Sequence, residues 1–146
     1  MSSTLSAGVL DRIEELLEAL TPEERAEVTY EAYEGQVGGQ EGESLDRDFW
    51  FVGPTDGTPQ LEQGGDITVV EYSFELRVRL SSAPYDAKTF PRAIANESAA
   101  IRRELDANTT WGAAGVLEVI VGALRVEPQG EDVDLVWVIR ANVQEE

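Results

Sequence analysis

The groups in this chain able to do chemistry are nearly all carboxylates: 29 Asp and Glu stand against 11 Lys and Arg, with no histidine and no cysteine. That inventory excludes zinc sites built from thiolate or imidazole, haem and iron–sulfur ligation, cysteine nucleophiles, and triads that need an imidazole base. It leaves two-carboxylate hydrolysis, magnesium or calcium held by carboxylates, or a serine beside the single lysine, Lys88. No spacing singles out a pair of acids, which fall mostly on helix faces and in loops as solvated charge does. Glu41, Glu43, Asp46 and Asp48 come nearest to a calcium loop, but the alternating ligands and closing glutamate of an EF-hand are absent. The expectation is a protein that is not an enzyme and holds no metal or other cofactor.

The charges with the most regular spacing are Glu71, Glu75, Arg77 and Arg79, acids first and bases second along one strand face. Two copies related by rotation would set one subunit's acids against its neighbour's bases, which fixes register and partner choice more than affinity. These four form a candidate subunit interface. A solvated strand face whose charges protect a sheet edge is the alternative for the same residues.

The element that carries them is ITVVEYSFELRVRL, residues 67 to 80. Val70, Tyr72, Phe74, Leu76, Val78 and Leu80 fall on one face and Glu71, Ser73, Glu75, Arg77 and Arg79 on the other, the period of two that marks a half-buried strand. At about 3.3 Å per residue it would run some 46 Å, more than twice the usual strand. Such a length exceeds what one small core requires.

Around it, Leu5, Val9, Ile13, Leu16, Leu17 and Leu20 form the apolar stripe of an N-terminal helix. Thr21, Pro22 and Glu24 carry the cap, first-turn proline and capping-box acid of a short second helical turn. Residues 34–48 read as a mobile acidic loop, Phe49 to Val52 as a short strand, and 53–66 as a Gly/Pro-rich connection. A helix is expected from a cap at Thr89 to about Asp106, with Phe90, Ile94, Ile101 and Leu105 inward and Asn108 as a left-handed stop. GVLEVIVGALRVEP and VDLVWVIRANV then form a hairpin across EPQGED. With 146 residues, no linker and no internal repeat, the chain reads as one α+β domain: a largely antiparallel, possibly mixed sheet with helices on one face and a more polar opposite face. Trp50, Trp111 and Trp137 could line a pocket in a small-molecule binding domain, or be core; Phe49, Trp50 and Phe51 read more simply as a buried strand.

The formal net charge is −18, and ten of the eleven cations are arginine. Such a surface repels nucleic-acid phosphates, so DNA binding is not expected. It suits a salt-rich cytoplasm, where screening over about 3 Å at molar salt suppresses self-repulsion. It also suits a passage through which DNA slides without sticking. The lysine-poor, acidic composition is similar to that of halophile proteins. The N-terminus has no basic start or uninterrupted apolar stretch, so neither a signal peptide nor a membrane helix is expected.

In order and proportion, the leucine-striped helix, the acidic loop, FWFV, ITVVEYSFELRVRL, FPRAIANESAAIRREL and DVDLVWVIRANV resemble the tail terminator (tail completion) proteins of long-tailed viruses. The likeness is most specific in YSFELRVRLSSAPYD leading to a helix. It implies a virion protein, assembled in the host cytoplasm, that forms a ring of identical subunits, typically a hexamer. That ring would cap the tail tube, stop its polymerisation, join it to the neck and head-completion proteins, and let DNA pass without specific binding. Stoppers, head-completion proteins and the tube protein share this size and composition and remain alternatives.

Overall fold

The leucine stripe becomes helix first. The computed structural model, which describes residues 4–22, 25, 27–33, 46–54, 57–63, 67–112 and 115–145, shows a π-helical turn, Ser6–Leu10, running into α1, Asp11–Ala19. Leu5, Val9, Ile13, Leu16 and Leu17 are buried along one side, as spacing at three and four residues demands. Among the described residues, the stretch around Thr21 and Pro22 is not helical: residues 20–22 are coil, with a turn near residue 27.

The strands are β1 (Glu31–Ala32), β2 (Asp48–Val52), β3 (Gly57–Gln63), β4 (Ile67–Leu80), β5 (Val116–Gln129) and β6 (Asp132–Glu145). They make one six-stranded sheet in the order β1-β2-β4-β6-β5, with β3 also paired to β4. The pairs are antiparallel except β1 with β2. The fold is α+β, as expected.

β4 spans the predicted residues and is the axis of the sheet. Phe74, Leu76, Val78 and Leu80 are buried on its helix-facing side and lie opposite Ile139, Trp137, Leu135 and Val133 of β6. α2, Phe90–Ala107, adds Ala93, Ala100, Ile101 and Leu105 to the same core as α1. Thr89 holds the cap position without a capping side-chain bond. Instead the Asp86 carboxylate accepts from the Lys88 and Thr89 backbone N–H groups at 2.9 and 2.8 Å. Those bonds, with that from the Thr89 hydroxyl, hold the Asp86 carboxyl below the usual range.

Three further sequence expectations change. The connection 53–66 contains β3, which pairs with Ile67–Tyr72 of β4 and shifts register between Pro59 and Leu61. Pro59 is tolerable there because β3 lies at the side of the sheet, where a missing N–H breaks no second ladder. The loop 34–48 ends in structure: Asp48 begins β2 and Arg47 is fully buried, while residues 34–45 lie outside the described residues. β1 is too short to show any alternation. Asn108 ends α2 in an extended conformation (φ −71°, ψ 119°), with no left-handed step.

β5 and β6 pair down to Gln129 and Asp132, leaving Gly130 and Glu131 as a two-residue turn. Gly130 has φ +66°, the first central position of a hairpin turn that favours glycine. Further along, β5 bulges between Val121 and Leu124. A Cβ on Gly122 would stand 2.9 Å from the Val138 carbonyl oxygen, so the bulge requires glycine.

Candidate subunit interface

The face of the sheet away from the helices holds all four predicted site residues, and the structure brings three of them, Glu75, Arg77 and Arg79, together with residues the sequence did not connect to them. Register places Arg79 opposite Asp134 and then Glu127; Arg77 opposite Val136 and then Arg125; and Glu75 opposite Val138. The acids and bases of β4 are thereby answered across the sheet within one chain. Arg77 donates through Nε to Glu75 at 2.9 Å and through Nη1 to Glu127 at 2.9 Å, and lies 3.4 Å from Asp134. Arg79 grips the buried Asp134 carboxylate with Nε and with Nη2, the latter at 3.1 Å. Arg125 closes the circuit, donating to Glu75 at 3.0 Å and Glu127 at 2.6 Å. Glu71 lies apart, opposite Asn142.

Burial alone would push the Glu75 carboxyl up, but hydrogen bonds from Arg77 and Arg125 outweigh it and hold it below the usual carboxylate range. The same two arginines hold Glu127 down. A carboxylate with a depressed folded value contributes stability above its unfolded value, about 4.3, and loses it as pH falls through the folded one. The double variant Glu75→Gln/Glu127→Gln is therefore expected to melt below the parent at pH 7. The gap should close as the pH falls below about 4. A gap of equal size at pH 7 and pH 3, measured by thermal melts at fixed salt, would show that the network does not act through these charges.

At the β2 side, the Arg79 guanidinium stacks 5.3 Å from the centroid of the Trp50 ring, whose other neighbour is Tyr33 at 5.9 Å. Trp50 is buried and its indole N–H has no acceptor. The tryptophans do not share a pocket. Trp50 lies on the open face and Trp137 on the helix face, while Trp111 packs against the core. A cavity of about 580 Å³ lies elsewhere, lined by Ser82, Tyr85, Phe90 and Glu131 among others, with Tyr85 and Phe90 stacked at 5.6 Å.

A second cluster was invisible in the sequence. Arg47, at φ 67° and fully buried, donates through Nε to the equally buried Glu97 of α2 at 2.8 Å and through Nη2 to the Tyr85 hydroxyl at 2.7 Å, and also pairs with Asp46. Tyr30 donates its hydroxyl to the same Glu97 carboxylate. The Arg47 backbone N–H donates to the Arg79 carbonyl at 2.8 Å, and its own carbonyl accepts from Glu31 at 3.1 Å. Arg47 thus ties β1, β4, α2 and the segment after β4 together. Burial, with Glu97 beside it, pushes the Tyr30 phenol far above its usual range. Burial disfavours the Arg47 cation, but Tyr85, Glu97 and Asp46 more than offset that and raise it.

Among the described residues, no three acids converge to hold a metal ion, and no helix is long and apolar enough to cross a membrane. No protein-family model and no curated protein sequence matches the chain. Among solved structures it is similar to a chain from the "virion of native gene transfer agent (GTA) particle", with a TM-score of 0.61 and 18% identity over 99% of this chain and 100% of that one. At that identity the likeness shows a shared fold.

Proposed function

We propose that this protein is a structural component of a phage-like virion, and specifically a tail terminator. In that role it forms a ring that caps the tail tube, stops its growth and joins it to the neck, leaving a channel for DNA. The observation that carries this reading is a fold shared end to end with a chain of a gene transfer agent virion. The match runs over 99% of this chain and 100% of that one. The function is assembly, without catalysis and without a cofactor. Its partners are further copies of itself, the tail tube protein and a neck or head-completion protein. The −18 charge supports passage of DNA, since phosphates are repelled and not bound.

The first test is the mass of the purified protein in high salt, by light scattering. A multiple of the 16.0 kDa chain is expected. A monomer at all concentrations would favour a binding domain instead, to be pursued by ligand-dependent melting.

The same charge sets the salt response. Ion pairs on the open face weaken as salt rises, but each partly exposed pair is worth about 0–1 kcal/mol, whereas eighteen uncompensated charges repel over the whole surface. Screening of the repulsion wins, so the melting temperature should climb between low and molar salt. A melting temperature independent of salt would remove the proposed adaptation to a halophile's cytoplasm.

A further inference from the structure

Among the described residues, the exposed large hydrophobic side chains are gathered mainly on one strand. Of the large hydrophobic side chains exposed among the described residues, Leu117, Ile120, Leu124 and Val126 lie on β5, at 39–52% exposure, and Val138 is on β6 next to it; only Val52 is remote. β5 is an edge strand of 14 residues that pairs only with β6 among the described residues. At about 3.3 Å per residue its outer rim would present some 46 Å of backbone donors and acceptors. Edges this long and apolar are normally blunted by lysine, inward charge or a covering element. β5 has no lysine, and its Pro128 stands at the far end. Its cover is local: Arg102 of α2 donates to the Gly122 carbonyl at the bulge.

Charge selects the occupant. A chain of −18 meets a second copy of itself with least repulsion where the surface is most nearly neutral. β5 carries only Glu118, Arg125 and Glu127, and the last two are already paired. At the opposite side of the sheet, β3 carries one charge, Glu62, in seven residues. Strand direction selects the geometry. β3 and β6 run antiparallel to β4, and β5 runs antiparallel to β6, so β5 and β3 point in opposite directions. Copies set side by side in one orientation therefore bring β5 of one against β3 of the next as an antiparallel pair. A contact between two different edges is heterologous, and if the rotation closes it makes a ring.

We infer that the subunit contact of the ring is edge pairing between β5 of one copy and the β3 side of the next, so that the sheets continue from subunit to subunit. This rests on the proposed ring, and it moves the main contact from the charged face of β4 to the sheet edges. Three of the charges on that face are already partnered within the chain.

Two measurements test it. Leu124→Lys/Val126→Lys alters exposed positions only and should reduce the mass in solution severalfold, to that of a single 16.0 kDa chain, with the far-ultraviolet circular dichroism and cooperative melt retained. Because the chain has no cysteine, Glu62→Cys combined in one chain with Cys at position 117, 124 or 126 reports the contact directly. On oxidation at least one double variant should give a covalent series running past the dimer, while each single variant gives none. Dimers from a single β5 cysteine would overturn the inference in favour of a twofold β5–β5 contact. So would a protein that is monomeric throughout, or an oligomer indifferent to the lysines that forms no cross-links. A covalent series from protein that leaves tail tubes uncapped would keep the contact and defeat the terminator reading. Capped tubes without β5–β3 cross-links would do the reverse.

Discussion

Replacing Arg47 with methionine is expected to destabilise the fold by about 3–5 kcal/mol, a large part of the roughly 5–15 kcal/mol available to a domain. The cost arises on the partner side. Glu97 is fully buried on α2, and without Arg47 its carboxylate retains the Tyr30 hydroxyl but loses the Arg47 guanidinium. A buried carboxylate that loses a charged hydrogen-bond donor keeps its desolvation cost with less to offset it. The backbone of Arg47 adds to the argument. A non-glycine residue at φ 67° holds an uncommon conformation that costs about 1 kcal/mol, and it persists because the side chain is held on several sides. Arg47→Gly should thus recover a little of what Arg47→Met loses. Arg47→Met with Glu97→Leu should recover much more, because both charges then leave together. Urea unfolding of the four proteins at one salt concentration decides the matter. A loss below about 1 kcal/mol for Arg47→Met would mean that the cluster is wetter and looser than its geometry implies.

Trp137→Ala is expected to cost about 3–5 kcal/mol as well, for a different reason. Trp137 lies in the middle of β6, 1% exposed, with Leu76 of β4 opposite on one side and Leu124 of β5 on the other. Its ring belongs to the core that also takes Ile13 and Leu17 from α1 and Ile101 and Leu105 from α2. Truncation leaves a cavity that strands on both sides and helices above cannot all collapse into, so lost burial and cavity act together. Trp137→Phe should keep most of the packing and lose far less. If the alanine variant lost under about 1.5 kcal/mol in the same unfolding assay, the close-packed central layer described here would be wrong.

The two cases differ in how visible they were. Trp137 announces itself, since Val133, Leu135, Trp137, Ile139, Ala141 and Val143 alternate, and six inward positions in a row can only be a strand against a core. The same period fixed β4 to the residue, and helical spacing fixed α1 and the body of α2. Arg47 had no such signal. It sits in EGQVGGQEGESLDRD, a glycine-rich acidic stretch, and its partner Glu97 is 50 residues away on the buried face of α2, one charge in a helix that carries several. β3 was hidden for a related reason. GTPQLEQ has turn residues and no alternation, and it becomes a strand because β4 is long enough to hold β2 along one half and β3 along the other. The four charges of β4 were legible as a pattern but not as a network. Asp134, Glu127 and Arg125 reach them only through the register of the β5–β6 hairpin on β4, and strand order cannot be read from periodicity.

That network also changes the meaning of the long strand. β4 is long enough to serve two neighbours on one side and β6 on the other, which pairs with it in unbroken register from Thr68 to Leu80. Length therefore first serves the sheet of its own chain. What extends outward is the edge that β5 leaves open.

The most direct test of the terminator reading is electron microscopy of the purified protein at high salt with a preparation of tail tubes. Rings seated on one end of each tube, with tube lengths that stop increasing once the rings are bound, are the predicted result. Tubes that grow unchanged with bare ends, beside protein that neither forms rings nor associates with them, would contradict it.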